Sequence, residues 1–507
     1  MSAIVLATFS ARYQHAAFGL RYLQANLGAL QPDSTLLEFD SQRPPAQAAA
    51  QILAHTPRLV GLGVYIWNVA QTTALITALR TAAPQLVIVL GGPEVSYETE
   101  THPLTPLADF VFCGEADLAF ADLCRAVHAG TPPREKILRA PPPDLAQLAL
   151  PYALYSDHDL ATRFTYLETS RGCPFGCEYC LSAIARGVRT FDWERLRPEF
   201  ERLLARGLKR VKFVDRTFNL DVERGRAVLE FFYARVRSPA VAAAYGRRRR
   251  PQIAATEEHQ LEVHLEITPS CLTPAWRALL QRAPPGLLRL EVGVQTFDED
   301  ISSRIGRPQS AAATEDALRF LRQETTALIH ADLIAGLPGQ TLENFAADFD
   351  RMVRLQPHEL QVGILKNLRG TAIARHDAEW RVRWNPAPPY DILENKLLDA
   401  ATVAALKRFA RFWELLGNRG RFAQTLPLLW SALHDSPFSK VWKLCEDLFP
   451  RFGKVHGLAL FDLAYALADH LVNALGRDRA AVHAALRSDL SRLGALHLPN
   501  WLGTPAP

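Results

Sequence analysis

The chain has 507 residues, of which 48% are apolar and 22% are charged, and its formal net charge is +4. This length predicts roughly two to four domains. The small net charge gives no general attraction for nucleic acid, the seven scattered cysteines argue against a disulfide scaffold, and no apolar run is long enough to span a membrane. The first residues, Met1-Ser-Ala-Ile-Val-Leu, are typical of a β-strand rather than of a secretory leader, so we expect a cytoplasmic protein.

Strands and helices alternate through residues 1–130. Five short apolar runs predict β-strands at residues 4–8, 36–39, 59–64, 86–90 and 110–113. Apolar residues at helical spacing lie between them, for example at residues 17–27 and 72–81. Because strands that alternate with helices form right-handed crossovers, the pattern predicts a parallel, doubly wound α/β sheet. We therefore predict a flavodoxin-like, Rossmann-type domain over residues 1–135.

The carboxyl ends of these predicted strands carry aromatic residues and glycines. Such ends form the ligand-binding edge of a doubly wound sheet, and glycine allows the backbone to approach a bulky ligand closely. The candidates for ligand contacts at this edge are Tyr13, His15, Tyr65, Gly91, Gly92, Gly114 and Glu115.

A proline-rich stretch at residues 136–154 predicts an extended, semi-rigid linker. Beyond it the alternation resumes, with six predicted strands at residues 164–167, 210–214, 261–267, 287–294, 327–334 and 359–365. These six units predict a second α/β domain over residues 155–375.

Three closely spaced cysteines, Cys173, Cys177 and Cys180, follow the first strand of that second domain. Thiolates are the preferred ligands of iron–sulfur clusters, and three of them leave one iron of a four-iron cluster free to bind a small molecule. A structural zinc site is the alternative, and it needs a fourth protein ligand. The nearest candidates are His158 upstream and Cys271 downstream, but neither has a ligand-like spacing to the other three.

The Cys-x3-Cys-x2-Cys spacing, with Tyr179 before the last cysteine, resembles the signature of the radical S-adenosylmethionine (SAM) superfamily. The resemblance implies a partial (β/α)6 barrel and a [4Fe-4S] cluster held by Cys173, Cys177 and Cys180. It also implies that the free iron chelates SAM and that the reduced cluster cleaves SAM to a 5′-deoxyadenosyl radical.

Further resemblances lie at the strand ends of the second domain. Residues 291–297 resemble the fourth-strand motif that helps to bind SAM, and residues 336–341 resemble the loop after the fifth strand. The resemblance assigns SAM contacts to Tyr179, Glu266, Gln295 and Asp332. Two structural interpretations stay open: an ion pair between Asp215 and Arg216, and another between Asp332 and Lys366.

The turns at residues 91–94 and 114–117 resemble those around the corrin in the cobalamin-binding domain that precedes the radical SAM domain in one large subfamily. The resemblance implies cobalamin at the edge that carries the candidates named above. Many such domains contain Asp-x-His-x-x-Gly, whose histidine ligates cobalt. This chain has Tyr13 in place of that aspartate and three residues between His15 and Gly19. His15 is therefore either an axial ligand or a polar loop residue near the corrin.

Two segments lie outside this pattern. An insertion at residues 238–260 contains four consecutive arginines at 247–250, which predict a solvated surface loop, with a phosphate-binding handle for RNA as the alternative. Helical spacing at residues 397–416, 441–448, 458–475 and 479–493 predicts a helical C-terminal domain over residues 376–507. Motifs at 387–392 and 418–422 resemble a helical module of uncharacterised role that follows the barrel in some cobalamin-type members.

The resemblance implies a cobalamin-dependent radical SAM enzyme, and methylation of an unactivated carbon of a small-molecule or peptide substrate is the first interpretation. A non-methylating rearrangement or cyclisation enzyme and a corrinoid-binding accessory protein are the alternatives. Cofactors would perform the difficult chemistry, and no catalytic residue can be named from the sequence. We expect a reductase or flavodoxin-type electron donor as a partner, and we expect neither nucleic acid nor a membrane.

Overall fold

Six parallel strands form the first sheet of the computed structural model, which describes residues 3–12, 14–236, 261–430, 435–495 and 497–502. The strands are β1 (Ile4–Ser10), β2 (Ser34–Asp40), β3 (Leu59–Gly63), β4 (Val87–Gly91), β5 (Phe110–Cys113) and β6 (Ile137–Arg139). They lie in the order β2-β1-β3-β4-β5-β6. Because β1 pairs with β2 on one side and with β3 on the other, the winding reverses there, and a ligand crevice opens at the carboxyl ends of β1 and β3.

Helices cover both faces of this sheet. They are α1 (Phe18–Ala25), α2 (Pro45–Leu53), α3 (Val69–Ala82) and α4 (Ala119–Ala129). Side chains of α2 and α3, such as Ile52 and Leu79, join one apolar core, whereas side chains of α4, such as Phe120, join the other. The prediction of a doubly wound, flavodoxin-like domain is confirmed.

The proline-rich segment after the first domain differs from an extended linker. Residues Ile137–Arg139 add β6 to the edge of the first sheet. Leu145, Leu148 and Tyr152 are buried in the core of the second domain. Burial of these apolar side chains stabilises a packed seam, since each fully buried side chain of this size contributes about 1.5–3 kcal/mol. The domain limits 1–135, 136–154, 155–375 and 376–507 stay a prediction.

The second sheet is an open, all-parallel barrel wall. Strands of this part of the chain are β7 (Thr165–Leu167), β8 (Ser170–Cys173), β9 (Gly187–Thr190), β10 (Arg210–Phe213), β11 (Glu262–Ile267), β12 (Leu288–Gln295), β13 (Leu328–Ala335) and β14 (Glu359–Ile364). Six of them form the wall in the order β7-β10-β11-β12-β13-β14, and β8 and β9 form a separate antiparallel hairpin. The expected partial (β/α)6 barrel is confirmed.

The helices of the barrel are α5 (Asp157–Thr162), α6 (Trp193–Ala205), α7 (Val222–Val236), α8 (Pro274–Gln281), α9 (Glu299–Arg304), α10 (Ala311–Glu324) and α11 (Leu342–Leu355). Burial alternates along β12 and β13, because every second residue belongs to the apolar core. The intervening positions of the neighbouring strands are polar, among them Lys212, His264, Glu291 and His330. The predicted insertion at 238–260, with its arginine run, lies outside the described residues.

The C-terminal part is mainly helical, as predicted. Its elements are α12 (Asp377–Trp380), the short strands β15 (Arg383–Trp384) and β16 (Ile392–Glu394), and the helices α13 (Ala400–Trp413), α14 (Pro437–Phe452), α15 (Leu460–Asp469) and α16 (Arg479–Arg492). Phe349 of the barrel packs edge-on against Phe409 and Trp413, which fastens this module to α11. Within the described ranges, every helix is too short or too polar to cross a membrane.

Candidate active site

The three cysteines lie on the β8–β9 hairpin at the carboxyl end of the barrel wall. Cys173 ends β8, and Cys177 and Cys180 lie in the loop that leads to β9. The hairpin can close because Gly172 has a φ of +96°, and a Cβ there would lie 2.2 Å from the carbonyl oxygen of Gly187. The glycine that precedes the first cysteine therefore sets how the ligand loop leaves the barrel.

The described thiols fit an iron–sulfur cluster. None of the three is in a disulfide, and Cys173 and Cys177 are buried while Cys180 is partly exposed. The Arg307 guanidinium donates from Nη1 to Cys177 Sγ over 3.5 Å. Its Nε is buried and has no hydrogen-bond partner among the described residues. A cation with a spare donor suits the negative charge of cluster thiolates.

The zinc alternative receives no support from the placement of its fourth ligands. His158 is exposed on α5, which enters β7 at the amino end of the barrel, opposite to the cysteines. Cys271 ends a short turn after β11, at the same edge as the cysteines, and is half-buried. In the part of the chain that the structure describes, no three or more His, Cys, Asp or Glu side chains, the three cysteines included, are grouped so as to hold one metal ion.

A turn after α9 supports the cysteine loop from the barrel side. Glu178 N donates to Ile305 O over 3.0 Å. A Cβ on Gly306, whose φ is +68°, would lie 2.4 Å from the carbonyl oxygen of Gly176. Arg307 also donates from Nη2 to Gly293 O over 2.7 Å. The sequence did not single out Arg307, because no local spacing connects it to a cysteine 130 residues earlier.

Gln295 ends β12 in an unusual conformation. Its φ is +71°, and the pairing of β12 with β13 shifts register between Gly293 and Gln295. A left-handed non-glycine residue costs about 1–3 kcal/mol and persists where its surroundings hold it. The following residues do so, because Asp348 of α11 accepts hydrogen bonds from Thr296 Oγ1 at 2.6 Å and from Phe297 N at 3.1 Å. The buried carboxylate of Asp348 therefore fixes the end of the motif at 291–297, at the carboxyl end of β12.

Because Asp348 is buried, we expect the stability of the fold to depend on pH. Burial raises the pKa of Asp348 from 3.8 to about 6. Between about pH 4 and pH 6 the folded chain holds a proton that the unfolded chain has lost, so stability falls as pH rises through this window. We expect the wild type to lose on the order of 2–3 kcal/mol of unfolding free energy from this group between pH 4 and pH 7.

Asp348→Asn is expected to lose this slope, as measured by urea unfolding at the two pH values. Asp316→Asn, at an exposed position on α10, should retain it and is the control. Equal slopes in wild type and Asp348→Asn would contradict the assignment.

Two ion pairs that the sequence left open as alternatives are wrong. Asp215 is fully buried and accepts hydrogen bonds from Thr169 N and from the hydroxyls of Thr169 and Ser170, so it holds the backbone that leads into β8. Arg216 instead pairs with Glu266 at 3.3 Å. The two residues do not meet because Asp215 is buried after the end of β10, whereas Arg216 lies in the following turn and is exposed.

The second wrong pair is Asp332 with Lys366. Asp332 Oδ1 lies 3.3 Å from His330 Nε2, whereas Lys366 forms a backbone bridge with Asp391. Asp332 Oδ1 is buried and accepts no hydrogen bond with good geometry from any described residue. Burial also raises the pKa of Asp332. An unsatisfied acceptor in the barrel interior fits a ligand with an amino or hydroxyl group.

The remaining SAM candidates lie near the cysteines and the lumen. Tyr179 packs against the barrel core between Cys177 and Cys180, and burial raises the pKa of its phenol. Burial also raises the pKa of Glu266, against the effect of Arg216. Glu266 therefore already forms an ion pair with Arg216 at the rim of the barrel.

His15 lies between the two domains. Its Nδ1 is 2.6 Å from the hydroxyl of Tyr166 on β7, and its backbone forms a bridge with Phe164. Burial lowers the pKa of His15, with further lowering by Lys212, Arg12 and Arg163, which favours the neutral imidazole that metal ligation requires. The phenol is its orienting partner in place of the carboxylate found in the Asp-x-His pattern. Tyr13 lies outside the described residues.

The carboxyl end of β3 presents a stacked aromatic pair. The rings of Tyr65 and Trp67 are 4.5 Å apart at an interplanar angle of 5°, and Trp67 is 47% exposed. Buried Asn68 holds this turn, because its amide donates to Thr8 Oγ1 at 3.0 Å and to Phe9 O at 3.1 Å. An exposed, preordered indole at the ligand edge fits a large planar ligand such as a corrin.

The three candidate glycines differ in whether neighbouring backbone leaves room for a side chain. Gly92 has a φ of +110°, and a Cβ there would lie 2.5 Å from Val64 O. Gly114 has a φ of +89°, and its Cβ would lie 3.0 Å from Ala140 O. Both are therefore required by neighbouring backbone rather than by a ligand. Gly91 has room for a Cβ, which would lie 3.9 Å from the Cβ of Phe112.

Arg171, two residues before the first cysteine, ties the ligand edge to the cysteine hairpin. It donates from Nη1 to Glu115 and to Asp117 at 2.9 Å, and from Nη2 to Glu168 at 3.0 Å. Arg189 of β9 also pairs with Glu115. Glu115, a sequence candidate for a cofactor contact, is thus bound to two arginines of the barrel domain.

A second buried network of ion pairs joins the two domains next to α1. Arg21 of α1 and Arg163 both pair with Glu38 of β2, at 2.9 Å and 2.7 Å, and both also contact Asp159 of α5. The two guanidinium groups and the two carboxylates of this network balance in charge. The cysteine hairpin and the ligand edge are therefore held face to face.

Three family descriptions match the sequence. Residues 4–124 match "B12 binding domain", residues 167–352 match "Radical SAM superfamily", and residues 378–449 match "Protein of unknown function (DUF4080)". The first match covers the doubly wound sheet, and the second covers the barrel with its three cysteines.

Two curated relatives are methyltransferases by name. The cobalamin-dependent radical SAM methyltransferase TokK of Streptomyces tokunonensis is 25% identical over 67% of this chain and 52% of its own length. The 2-(S-pantetheinyl)-carbapenam-3-carboxylate methyltransferase of Streptantibioticus cattleyicolor is 23% identical over 61% of this chain and 47% of its own. The chain therefore spans about half the length of the curated relatives that it matches.

Solved structures share the fold across nearly the whole chain. TsrM from Kitasatospora setae, with cobalamin and a [4Fe-4S] cluster bound, has a TM-score of 0.60 at 16% identity and covers 97% of this chain and 100% of its own. The cobalamin-dependent SAM radical enzyme OxsB, with aqua-cobalamin bound, has a TM-score of 0.63 at 12% identity and covers 97% and 84%. The sequence matches and the site agree: the chain contains a B12-binding domain at residues 4–124 and a radical SAM domain at residues 167–352, and the cofactors of these domains are cobalamin, a [4Fe-4S] cluster and SAM.

Proposed function

We propose that this protein is a cobalamin-dependent radical SAM methyltransferase that acts on an unactivated carbon of a small-molecule or peptide substrate. The observation that carries the proposal is the placement of the cysteine hairpin directly against the ligand edge of the B12-binding domain, through Arg171 and Arg189. TokK, a cobalamin-dependent radical SAM methyltransferase, adds support through its similarity to 67% of the chain. A flavodoxin-type or reductase partner is proposed as the electron donor.

When bound, the cofactors supply radical generation and methyl donation. The residues of the chain position these cofactors. Cys173, Cys177 and Cys180 hold the cluster on a hairpin whose exit angle Gly172 sets, and Arg307 balances thiolate charge. No general base is required of the chain, because abstraction of a hydrogen atom depends on the distance between reacting atoms.

Anaerobic reconstitution with iron, sulfide and hydroxocobalamin tests the proposal. With reductant and methyl-deuterated SAM in the presence of a small-molecule and peptide extract, we expect 5′-deoxyadenosine, S-adenosylhomocysteine and a product that carries the labelled methyl group. Formation of 5′-deoxyadenosine without S-adenosylhomocysteine would favour a non-methylating enzyme. Purified protein with stoichiometric zinc and negligible iron would refute the proposal.

Trp67→Ala is expected to weaken hydroxocobalamin binding about tenfold or more, because loss of a stacked, exposed indole removes apolar contact worth roughly 1.5–3 kcal/mol. Titration monitored by the corrin absorbance measures the change. Leu107→Ala is the matched control: Leu107 is also exposed in this domain but precedes β5, at the amino-terminal edge of the sheet. Equal affinities of the two variants would contradict the placement of the corrin.

A further inference from the structure

The segment between β14 and α13 reaches both cofactor loops. Residues 366–391, called the strap below, form a loop that closes on itself at its base. Asn367 N donates to Tyr390 O over 3.0 Å, and Ile392 N donates to Leu365 O over 2.9 Å. The second half of the strap falls within the match of unknown function at 378–449.

The middle of the strap, around residues 375–376, contacts the cysteine loop. Glu178, between the ligands Cys177 and Cys180, is 7% exposed. Its carboxylate meets His376 Nε2 at 2.8 Å and also pairs with Arg375. Both of these side-chain partners belong to the strap, and His376 is itself buried. The charge of a buried carboxylate inside the cluster loop is therefore compensated by the strap.

The base of the strap, where its two ends meet, contacts the corrin-edge loop after β4. Glu94, which closes the Gly91-Gly-Pro turn, is 5% exposed and accepts a hydrogen bond from the Tyr390 hydroxyl. Arg369 lies 3.5 Å from Glu94 and 3.1 Å from Glu98. His102, in the same domain, lies 3.6 Å from Glu94. The strap thus supplies the hydroxyl donor to a second buried carboxylate, this time on the cobalamin side.

The two domains also meet closely along the strap. Gly370 has a φ of +79°, and a Cβ there would lie 2.4 Å from the ring of Tyr97. Its N donates to Glu98 Oε1 over 3.2 Å. A buried carboxylate without its partner is costly, so neither loop can shift without losing a strap contact.

We propose that the strap is a positioning device that fixes the cluster loop and the corrin-edge loop relative to each other, with His376 and Tyr390 as its positioning residues. This gives a role to the start of the module of unknown function, beyond the proposed methyl transfer. The inference rests on the proposed function only in that the two loops hold the two cofactors.

The test measures the distance between the cofactors in the full chain. Pulsed EPR on protein that holds cob(II)alamin and the reduced cluster reports their dipolar coupling. Wild type is expected to give one narrow distance distribution. Tyr390→Phe, which removes one oxygen atom, and His376→Leu are expected to broaden or shift it.

Two controls separate positioning from general stability. His376→Gln retains an N–H donor and should restore the narrow distribution. Arg383→Ala, at an exposed position of the same strap, should leave it unchanged. Distributions of Tyr390→Phe and His376→Leu that superimpose on that of wild type would overturn the proposal. If His376→Leu does not fold, Tyr390→Phe decides alone. The measurement requires no SAM cleavage, so a failure of the proposed function leaves it intact.

Discussion

Cys177→Ala is expected to abolish the absorbance of the iron–sulfur cluster and reduce SAM cleavage to background, while hydroxocobalamin still binds. Two remaining thiolates cannot hold a cluster that needs three. Corrin binding persists because the ligand edge belongs to a separate sheet with apolar cores of its own. Iron analysis, visible absorbance and corrin titration of the reconstituted variant measure the three effects.

Cys271→Ala is the matched control for that variant. Cys271 is a half-buried thiol at the same edge of the barrel, and it should retain full iron content. Loss of metal from Cys271→Ala would instead indicate that a fourth protein thiol closes the site. Loss of corrin binding from Cys177→Ala would show that the two cofactor sites do not fold independently.

Arg171→Met is expected to destabilise the protein by roughly 3–5 kcal/mol, because removal of one partner from a buried ion network leaves the other charges uncompensated. The side chains of Asp117 and Glu168 are only 8% and 4% exposed. Arg171→Lys should recover only part of the loss, since an ammonium cannot serve several carboxylates with the planar fork of a guanidinium. Urea unfolding measures all three proteins.

The effect of Arg171→Met should depend on pH. Burial already raises the pKa of Glu168, and Arg171 lowers it. Without the arginine, folded Glu168 retains its proton to higher pH than unfolded Glu168, so the stability of the variant falls as pH rises. The penalty should therefore be smaller at about pH 5 than at about pH 8.

Arg139→Met provides the comparison for this network. Arg139 pairs with Glu100 on the surface, with both side chains more than 60% exposed, and such pairs contribute about 0–1 kcal/mol. A penalty for Arg171→Met no larger than that of Arg139→Met would mean that the seam between the domains is not held by these charges.

Most of the secondary structure could be predicted from local patterns. The apolar runs at residues 4–8 and 359–365 became β1 and β14, and the helical spacing at 479–493 became α16. Strands that alternate with helices leave few topologies open, so the doubly wound sheet followed as well. The proline-rich stretch was the exception, because its apolar residues pack on the barrel core and Ile137–Arg139 completes the sheet.

The site was predictable only where its residues are close in sequence. Cys173, Cys177 and Cys180 form a short spacing pattern, so the sequence named them as candidate cluster ligands. Arg307 and Arg171 were not singled out, because Cys177 lies 130 residues from Arg307, and Asp117 and Glu115 lie 54 and 56 residues from Arg171. The assumed partners of Arg216 and Lys366 were wrong for the same reason.

The sequence by itself determined which elements form and that three thiols share a loop, because hydrophobic periodicity and ligand spacing are local properties of a chain. Only the tertiary structure decided which side chain meets each buried carboxylate. Glu178 meets His376, and Glu94 meets Tyr390, across 198 and 296 residues. Such pairs are selected by burial and charge compensation after the domains have packed, and these forces depend on distance in space rather than along the chain.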